Sequence, residues 1–220
     1  MDGSAEEKRL AGEAAAELVE DGMRIGLGTG STVGFLLPAL AARGLEGIRC
    51  VATSPQTEAT ARELGLPVEP FESLDRLDIA IDGADQIAPD GWLVKGGGGA
   101  HTREKIVAAT AQRFVVIGDS SKPTDKLAPP VPLELFKFGF LATIERLGEI
   151  GDVRRRDAQA SPDGGVIADY FGDVGEPGQL ASRLESVPGV LAHGLFPPAL
   201  LSDLIVGRGD ETEHQTFAGG

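Results

Sequence analysis

The strongest constraint on how this chain can fold is an alternation of short apolar runs with helical stretches, in which three runs end in polar or glycine-rich loops. Met23 to Leu27 leads into Gly28-Thr29-Gly30-Ser31-Thr32, and Leu77 to Ile81 leads into Asp82-Gly83-Ala84-Asp85. Phe114 to Gly118 leads into Asp119-Ser120-Ser121-Lys122. Apolar runs of this length, bounded by turn residues, read as buried strands. Further strands are expected at 48–53 and near Val68, with helices at 4–20, Val33 to Ala42, 56–64 and from Thr102 onward. Ser4 and Glu7 have the spacing of a capping box, and Asp21-Gly22 reads as the stop of that first helix. Alternating strands and helices predict a parallel sheet covered on both faces, with ligands bound beyond the carboxyl ends of its strands. All three loops should therefore lie along one edge.

The pattern changes after Lys126. Ala128-Pro129-Pro130-Val131-Pro132 reads as a linker. A strand at 133–138, a helix at 140–149 and a strand at 152–158 follow, then a turn at Ser161 to Gly165. A strand at 166–171, a helix at 177–186 and a strand at 190–196 complete a β-α-β-β-α-β order, the split ferredoxin-like unit. Asp203 to Val206 should return as a strand to the first sheet, and Asp210 to Gly220 reads as a frayed tail. The expected fold class is α/β: a Rossmann-like parallel-sheet domain from residues 1–127 and 199–220, with a smaller ferredoxin-like α+β domain at 128–198.

The chemistry concentrates between Ile79 and Lys105. Asp82 and Asp85 stand three residues apart where a strand gives way to a loop. Lys95 runs into four glycines, Gly96 to Gly99, and Thr102 reads as the N-cap of a helix carrying Glu104 in its first turn. Each part has an ordinary structural reading: Asp-Gly is a common turn, glycine runs are flexible, and a first-turn Glu suits the helix dipole. Their combination in one short window favours a catalytic layout, since backbone without Cβ atoms admits a small ligand. Upstream, Thr29, Gly30, Ser31 and Thr32 form a strand–glycine turn–helix arrangement of the kind that binds phosphate on backbone N–H groups. It lacks the ending of a P-loop and the third glycine of a dinucleotide fingerprint.

The net charge of −14 argues against nucleic-acid binding and against attraction to an anionic membrane. An anionic substrate must then meet a local positive patch, and four of the six lysines lie in or beside the motifs. Cys50 is alone, which excludes an intrachain disulfide and a thiol metal cluster. His101, His193 and His214 show no ligand spacing, so no metal site is expected. With neither a leader pattern nor an apolar run of spanning length, a cytoplasmic location is expected.

GTGST, DGAD, KGGGGAHTREK and DSSK, in this order and spacing, resemble the signature of ribose-5-phosphate isomerase, type A. The resemblance runs to about Gly209. It departs at Gln86, where the family usually has Glu, and at His101. It loosens around Phe136-Lys137-Phe138 and Gly165, where a usual proline and asparagine are missing. The resemblance implies interconversion of ribose 5-phosphate and ribulose 5-phosphate through an enediol(ate), in the non-oxidative pentose phosphate pathway. Glu104 would be the base, Lys95 would stabilise charge on the enediolate oxygens, and Asp82 and Asp85 would handle hydroxyl protons, including ring opening. Thr29, Gly30, Ser31, Thr32, Gly83, Ala84, Gly96, Gly97, Gly98 and Lys122 would hold the phosphosugar, with Lys8 a further phosphate candidate. No cofactor is implied, because no step passes a hydride or an electron to a carrier. A homodimer or homotetramer is implied. Two other readings remain: a CoA-transferase-like enzyme forming a glutamyl thioester, and a sugar-phosphate-sensing domain. The sensor reading calls for a helix-turn-helix and a basic surface, and the acidic chain shows neither.

Overall fold

The computed structural model describes residues 3–217. In chain order the helices are α1 (Gly3–Ala16), α2 (Val33–Ala42), α3 (Pro55–Glu63), α4 (His101–Thr110), α5 (Phe140–Leu147) and α6 (Pro177–Glu185). The strands are β1 (Arg24–Leu27), β2 (Arg49–Ala52), β3 (Leu77–Gly83), β4 (Gln86–Ile87), β5 (Leu93–Val94), β6 (Ala111–Asp119) and β7 (Val131–Leu135). They continue with β8 (Val153–Arg155), β9 (Val166–Tyr170), β10 (Val190–His193), β11 (Leu195–Phe196), β12 (Asp203–Arg208) and β13 (Glu211–Thr216). The chain divides into two compact units. The first takes residues up to Ala84, then Arg103–Lys122 and the chain from Pro198; the second takes Asp85–Thr102 and Pro123–Pro197.

The first unit is built on a sheet of order β13-β12-β6-β3-β1-β2, parallel except for β13. Side chains alternate across a strand, and β1 shows what each face holds. Ile25 and Leu27 enter a core with Ala11, Ala15, Leu36, Leu37 and Leu40 of α1 and α2. Gly26 faces the other way, where an added Cβ would come within 2.4 Å of Val107 on α4. The two helices on the first face also approach closely, since a Cβ on Gly12 would sit 2.8 Å from the Leu36 nitrogen. The strand order reverses between β1 and β3, with β2 beyond β1 on one side and β6 beyond β3 on the other. Crevices for ligands form at such switch points, beyond the strands' carboxyl ends.

The second unit carries an antiparallel sheet of order β10-β7-β9-β8, the ferredoxin-like arrangement, with α5 and α6 as its helices. Val131, Leu133 and Leu135 point into a core with Leu147, Tyr170, Leu180 and Leu184. A smaller sheet, β11-β5-β4, completes the unit. No described helix is long and apolar enough to cross a membrane.

Several elements differ from their sequence-based expectations. Residues 85–102, expected with the parallel sheet, group with the second unit because β5 pairs with β11 and Ile87 bridges Pro123. The first helix ends at Ala16 and not near 20. Ser4 lies inside it, and Glu7 binds Ser120 and Gly209 where a capping box would have used it locally. Thr102 is within α4 and not its N-cap, its hydroxyl donating to Glu134. Val68 makes only an isolated bridge, to Cys50. The expected linker runs into a strand at its end: β7 starts at Val131 and carries Pro132 opposite Asp169, a placement proline normally disfavours. The expected strand at 190–196 breaks at Gly194 into β10 and β11, which join different sheets. A Cβ there would lie 2.2 Å from the Lys95 carbonyl oxygen, so only glycine fits the crossing. The expected frayed tail forms β13, hydrogen-bonded in register along β12, while its last residues, 218–220, lie outside the described ones.

Candidate active site

The candidate residues fall in both units. In the first, the registers align Leu27 with Ile81 and Gly83 with Ile117, so the three loops leave one carboxyl edge. Asp82 is buried at 3% exposure and accepts hydrogen bonds from the Thr29 N–H at 2.9 Å and the Gly83 N–H at 2.7 Å. Its position depends on Gly28, where a Cβ would fall 2.0 Å from Asp82 Oδ1. The Thr29 hydroxyl is held by that of Thr53 at 2.8 Å, and Thr57 donates to the Gly28 carbonyl at 2.8 Å. Gly30 adopts φ +122°, leaving Ser31 and Thr32 to lead into α2. The first N–H groups of a helix have no intrahelical acceptor, which suits them to an anion.

Also in the first unit, Glu104 lies in the first turn of α4 and is 3% exposed. Lys8, on α1, brings its Nζ within 3.6 Å of Asp119 Oδ2 at the end of β6. Burial pushes the Asp119 carboxyl up, but the Ser121 hydroxyl and N–H and the charges of Lys122 and Lys8 outweigh it and hold it below the usual carboxylate range. Lys8, distant in sequence, thus pairs with the carboxylate at the head of the loop that carries Lys122. Glu7 fixes the same loop, accepting from the Ser120 N–H at 3.0 Å and hydroxyl at 2.7 Å.

In the second unit, Lys95 is 2% exposed, with its Nζ 5.4 Å from the centroid of the buried Phe196 ring. Its backbone N–H donates to the Gly194 carbonyl at 2.8 Å. Asp85 is exposed, and its carboxylate accepts from the Gly97 N–H at 2.8 Å. The glycine run has residue-specific causes. Gly96 has φ +105° with His101 Nδ1 2.6 Å from its would-be Cβ, and a Cβ on Gly97 would lie 2.7 Å from Asp85 Oδ1. Gly97 and Gly98 are exposed, while Gly83 and Ala84 lie half-buried where the chain passes from β3 to β4. Among the described residues, no group of three or more His, Cys, Asp or Glu is arranged to hold a metal ion.

A family model described as ribose 5-phosphate isomerase A (phosphoriboisomerase A) matches residues 49–211. The chain belongs to the ribose 5-phosphate isomerase A family. It is 46% identical over 203 residues to the ribose-5-phosphate isomerase A of Caulobacter vibrioides, covering 87% of this chain and 89% of the relative. It is 43% identical over 216 residues to that of Methanosarcina acetivorans, covering 93% and 91%. Among solved structures, ribose 5 phosphate isomerase A from Neisseria gonorrhoeae superposes with a TM-score of 0.91 at 31% identity, covering 96% of each chain. A D-ribose-5-phosphate isomerase in complex with phospho-erythronic acid gives 0.89 at 32% identity, covering 95% of this chain and 97% of that one.

Within this isomerase A chain, the two departures noted in the sequence have structural explanations. The Gln86 side chain clasps the backbone of Ala128 both ways: Nε2 donates to its carbonyl at 2.7 Å, and Oε1 accepts from its N–H at 2.8 Å. An ionised glutamate has no donor for the first bond. His101 is fully buried beneath Gly96. Sequence reasoning passed over Gly28, Glu7 and Arg156, each of which fixes a candidate residue or its loop. Gly28 was within reach as the first glycine of GTGST. The others act across long sequence separations that no local pattern marks.

Proposed function

We propose that this chain interconverts ribose 5-phosphate and ribulose 5-phosphate through an enediol(ate), working in the cytoplasm as a homodimer or homotetramer. The observation that carries the reading is the burial of three ionisable groups, Asp82, Lys95 and Glu104 at 3%, 2% and 3% exposure, in a member of this family. Withdrawing an ion from water costs several kcal/mol, and sites of acid–base chemistry are where ionisable groups are commonly held in such surroundings. Asp82 and Asp85 take the proton of the anomeric hydroxyl and supply one to the ring oxygen, which opens the aldose. Glu104 then removes the C2 proton as the general base. Lys95 stabilises the negative charge that develops on the enediolate oxygens. Return of the proton to C1, with transfer of a proton from O2 to O1, gives the ketose. Thr29, Gly30, Ser31, Thr32, Gly83, Ala84, Gly96, Gly97 and Gly98 contact the sugar phosphate, and Lys122 with Lys8 supplies the positive charge this acidic chain otherwise lacks.

The direct test is conversion of ribose 5-phosphate to ribulose 5-phosphate by purified, chelator-treated protein. Turnover at an enzymatic rate is expected, and its absence in folded protein overturns the assignment. Acyl-CoA offered in parallel should leave the protein unlabelled, whereas a transferase would form a glutamyl thioester. Lys122→Ala should raise KM about tenfold with kcat nearly unchanged, because contact with the non-reacting phosphate is uniform binding. An unchanged KM in the folded variant would remove Lys122 from the substrate contacts.

A further inference from the structure

We propose that Arg156 is a positioning residue for this reaction, clamping the peptide that orients Asp85. The inference rests on the isomerase reading and adds a residue that the family motifs do not include. Arg156 follows directly on β8, and its backbone N–H donates to the Ile167 carbonyl at 2.9 Å. One side of its guanidinium is bidentate to Asp169 on β9: Nε donates to Oδ2 at 2.8 Å, and Nη2 donates to Oδ1. Asp169 is 8% exposed, so the pair sits at the buried margin of the ferredoxin-like sheet. The remaining nitrogen, Nη1, reaches the glycine run and donates to the carbonyls of Gly97 at 2.9 Å and Gly96 at 3.2 Å.

The Gly96 carbonyl and the Gly97 N–H belong to one peptide plane. Arg156 holds the carbonyl end, and the N–H end donates to Asp85 Oδ2 at 2.8 Å. A trans peptide points these two groups in opposite directions, so any rotation of that plane breaks both contacts together. Glycine backbone has little conformational preference of its own, and these residues have no side chains with which to anchor the loop. Within the run the Gly96 carbonyl also accepts from the Gly99 N–H at 3.0 Å, and Arg156 adds the tie from this peptide to the neighbouring strand. A planar guanidinium can bind a carboxylate along one edge and carbonyls along another, whereas a lysine ammonium cannot span both. Asp169–Arg156–Gly96/Gly97–Asp85 is thus a continuous relay from a rigid strand to a candidate proton-transfer group.

The test uses Arg156→Ala, Arg156→Lys, Asp85→Asn and the double variant Asp85→Asn/Arg156→Ala, each checked for fold by circular dichroism. Wild-type turnover of ribose 5-phosphate tests the isomerase reading on its own. Given that turnover, Arg156→Ala should lower kcat about tenfold or more with KM within about threefold, as misplacement of a reacting group does. Arg156→Lys should fail to restore it. The double variant should have a kcat no lower than that of Asp85→Asn alone, because the effect of Arg156 on the chemical step runs through Asp85, while any effect through Gly96 and Gly97 falls on KM. If Arg156→Ala does not fold, Arg156→Lys carries the same comparisons. Near-wild-type kcat in the variants, rescue by lysine, or losses that multiply in the double variant would overturn the proposal.

Discussion

Glu104→Gln is expected to lower kcat by at least about 10²-fold while leaving the KM for ribose 5-phosphate close to the wild-type value. Glutamine keeps the shape of the side chain and one hydrogen-bonding oxygen but cannot accept the C2 proton. General-base catalysis contributes about 10²–10⁴-fold, or roughly 3–5 kcal/mol of barrier. The substitution removes that contribution and leaves phosphate binding alone. The fold should persist, since glutamine matches glutamate in volume and removes a buried charge, and a thermal melt checks it. Exchange of the C2 hydrogen of ribose 5-phosphate with solvent deuterium reports proton abstraction even when product release limits turnover. The variant should not catalyse that exchange. Wild-type-like exchange would transfer the base role to another group, with Asp82 and Asp85 the first to examine.

A comparable loss should follow from one added methyl group at Gly28. The Cβ of an alanine there would stand 2.0 Å from Asp82 Oδ1, 2.1 Å from its Cγ and 2.5 Å from its Cβ, far inside van der Waals contact. Asp82 cannot retreat with its backbone, which is fixed in β3 between β1 and β6. Its carboxylate must therefore swing away from the Thr29 and Gly83 N–H groups. A misplacement of about 1 Å can cost 10²-fold in rate, so kcat/KM should fall by about that factor. Overpacking of this kind typically destabilises by about 1–3 kcal/mol, which a thermal melt will resolve. Gly178→Ala on α6, where a Cβ would meet Trp92 at an ordinary 3.4 Å, serves as the control with activity unchanged. A folded Gly28→Ala enzyme with wild-type kinetics would dissociate Asp82 from the reaction.

The parallel-sheet unit was legible in the sequence because its buried strands are continuous apolar runs and its helices are apolar or well marked by turn residues. The split β-α-β-β-α-β order was legible for the same reason. What escaped was whatever depends on partners rather than on pattern. Residues 211–216 are polar and exposed throughout, so β13 has no periodicity to find. It is held by its ladder to β12 and by side-chain contacts, His214 Nε2 lying 2.8 Å from Asp203 Oδ1 and Arg208 donating to Glu213 at 2.8 Å. Pro132 concealed the start of β7 because proline argues against a strand interior. The candidate site was legible by residue type, since acids, a lysine and glycines stand close together in sequence. The residues that fix them were not: Glu7 and Ser120, or Arg156 and Gly97, meet across separations of 113 and 59 positions.

The place of β12 bears on how the chain is made as well as on what it holds. It lies between β6 and β13, and Arg113 of β6 bonds Asp203 of β12 across 90 positions. The whole of the second unit's longer segment, Pro123–Pro197, is synthesised in that interval. Until Asp203 and its successors emerge from the ribosome, Phe114-Val115-Val116-Ile117 presents an open strand edge with unsatisfied N–H and carbonyl groups. An apolar edge of that kind is a template for pairing with another chain. The nascent protein thus passes through a window, set by the insertion of one unit's sequence into the other's, in which the strand feeding the Asp119 loop lacks its β12 partner.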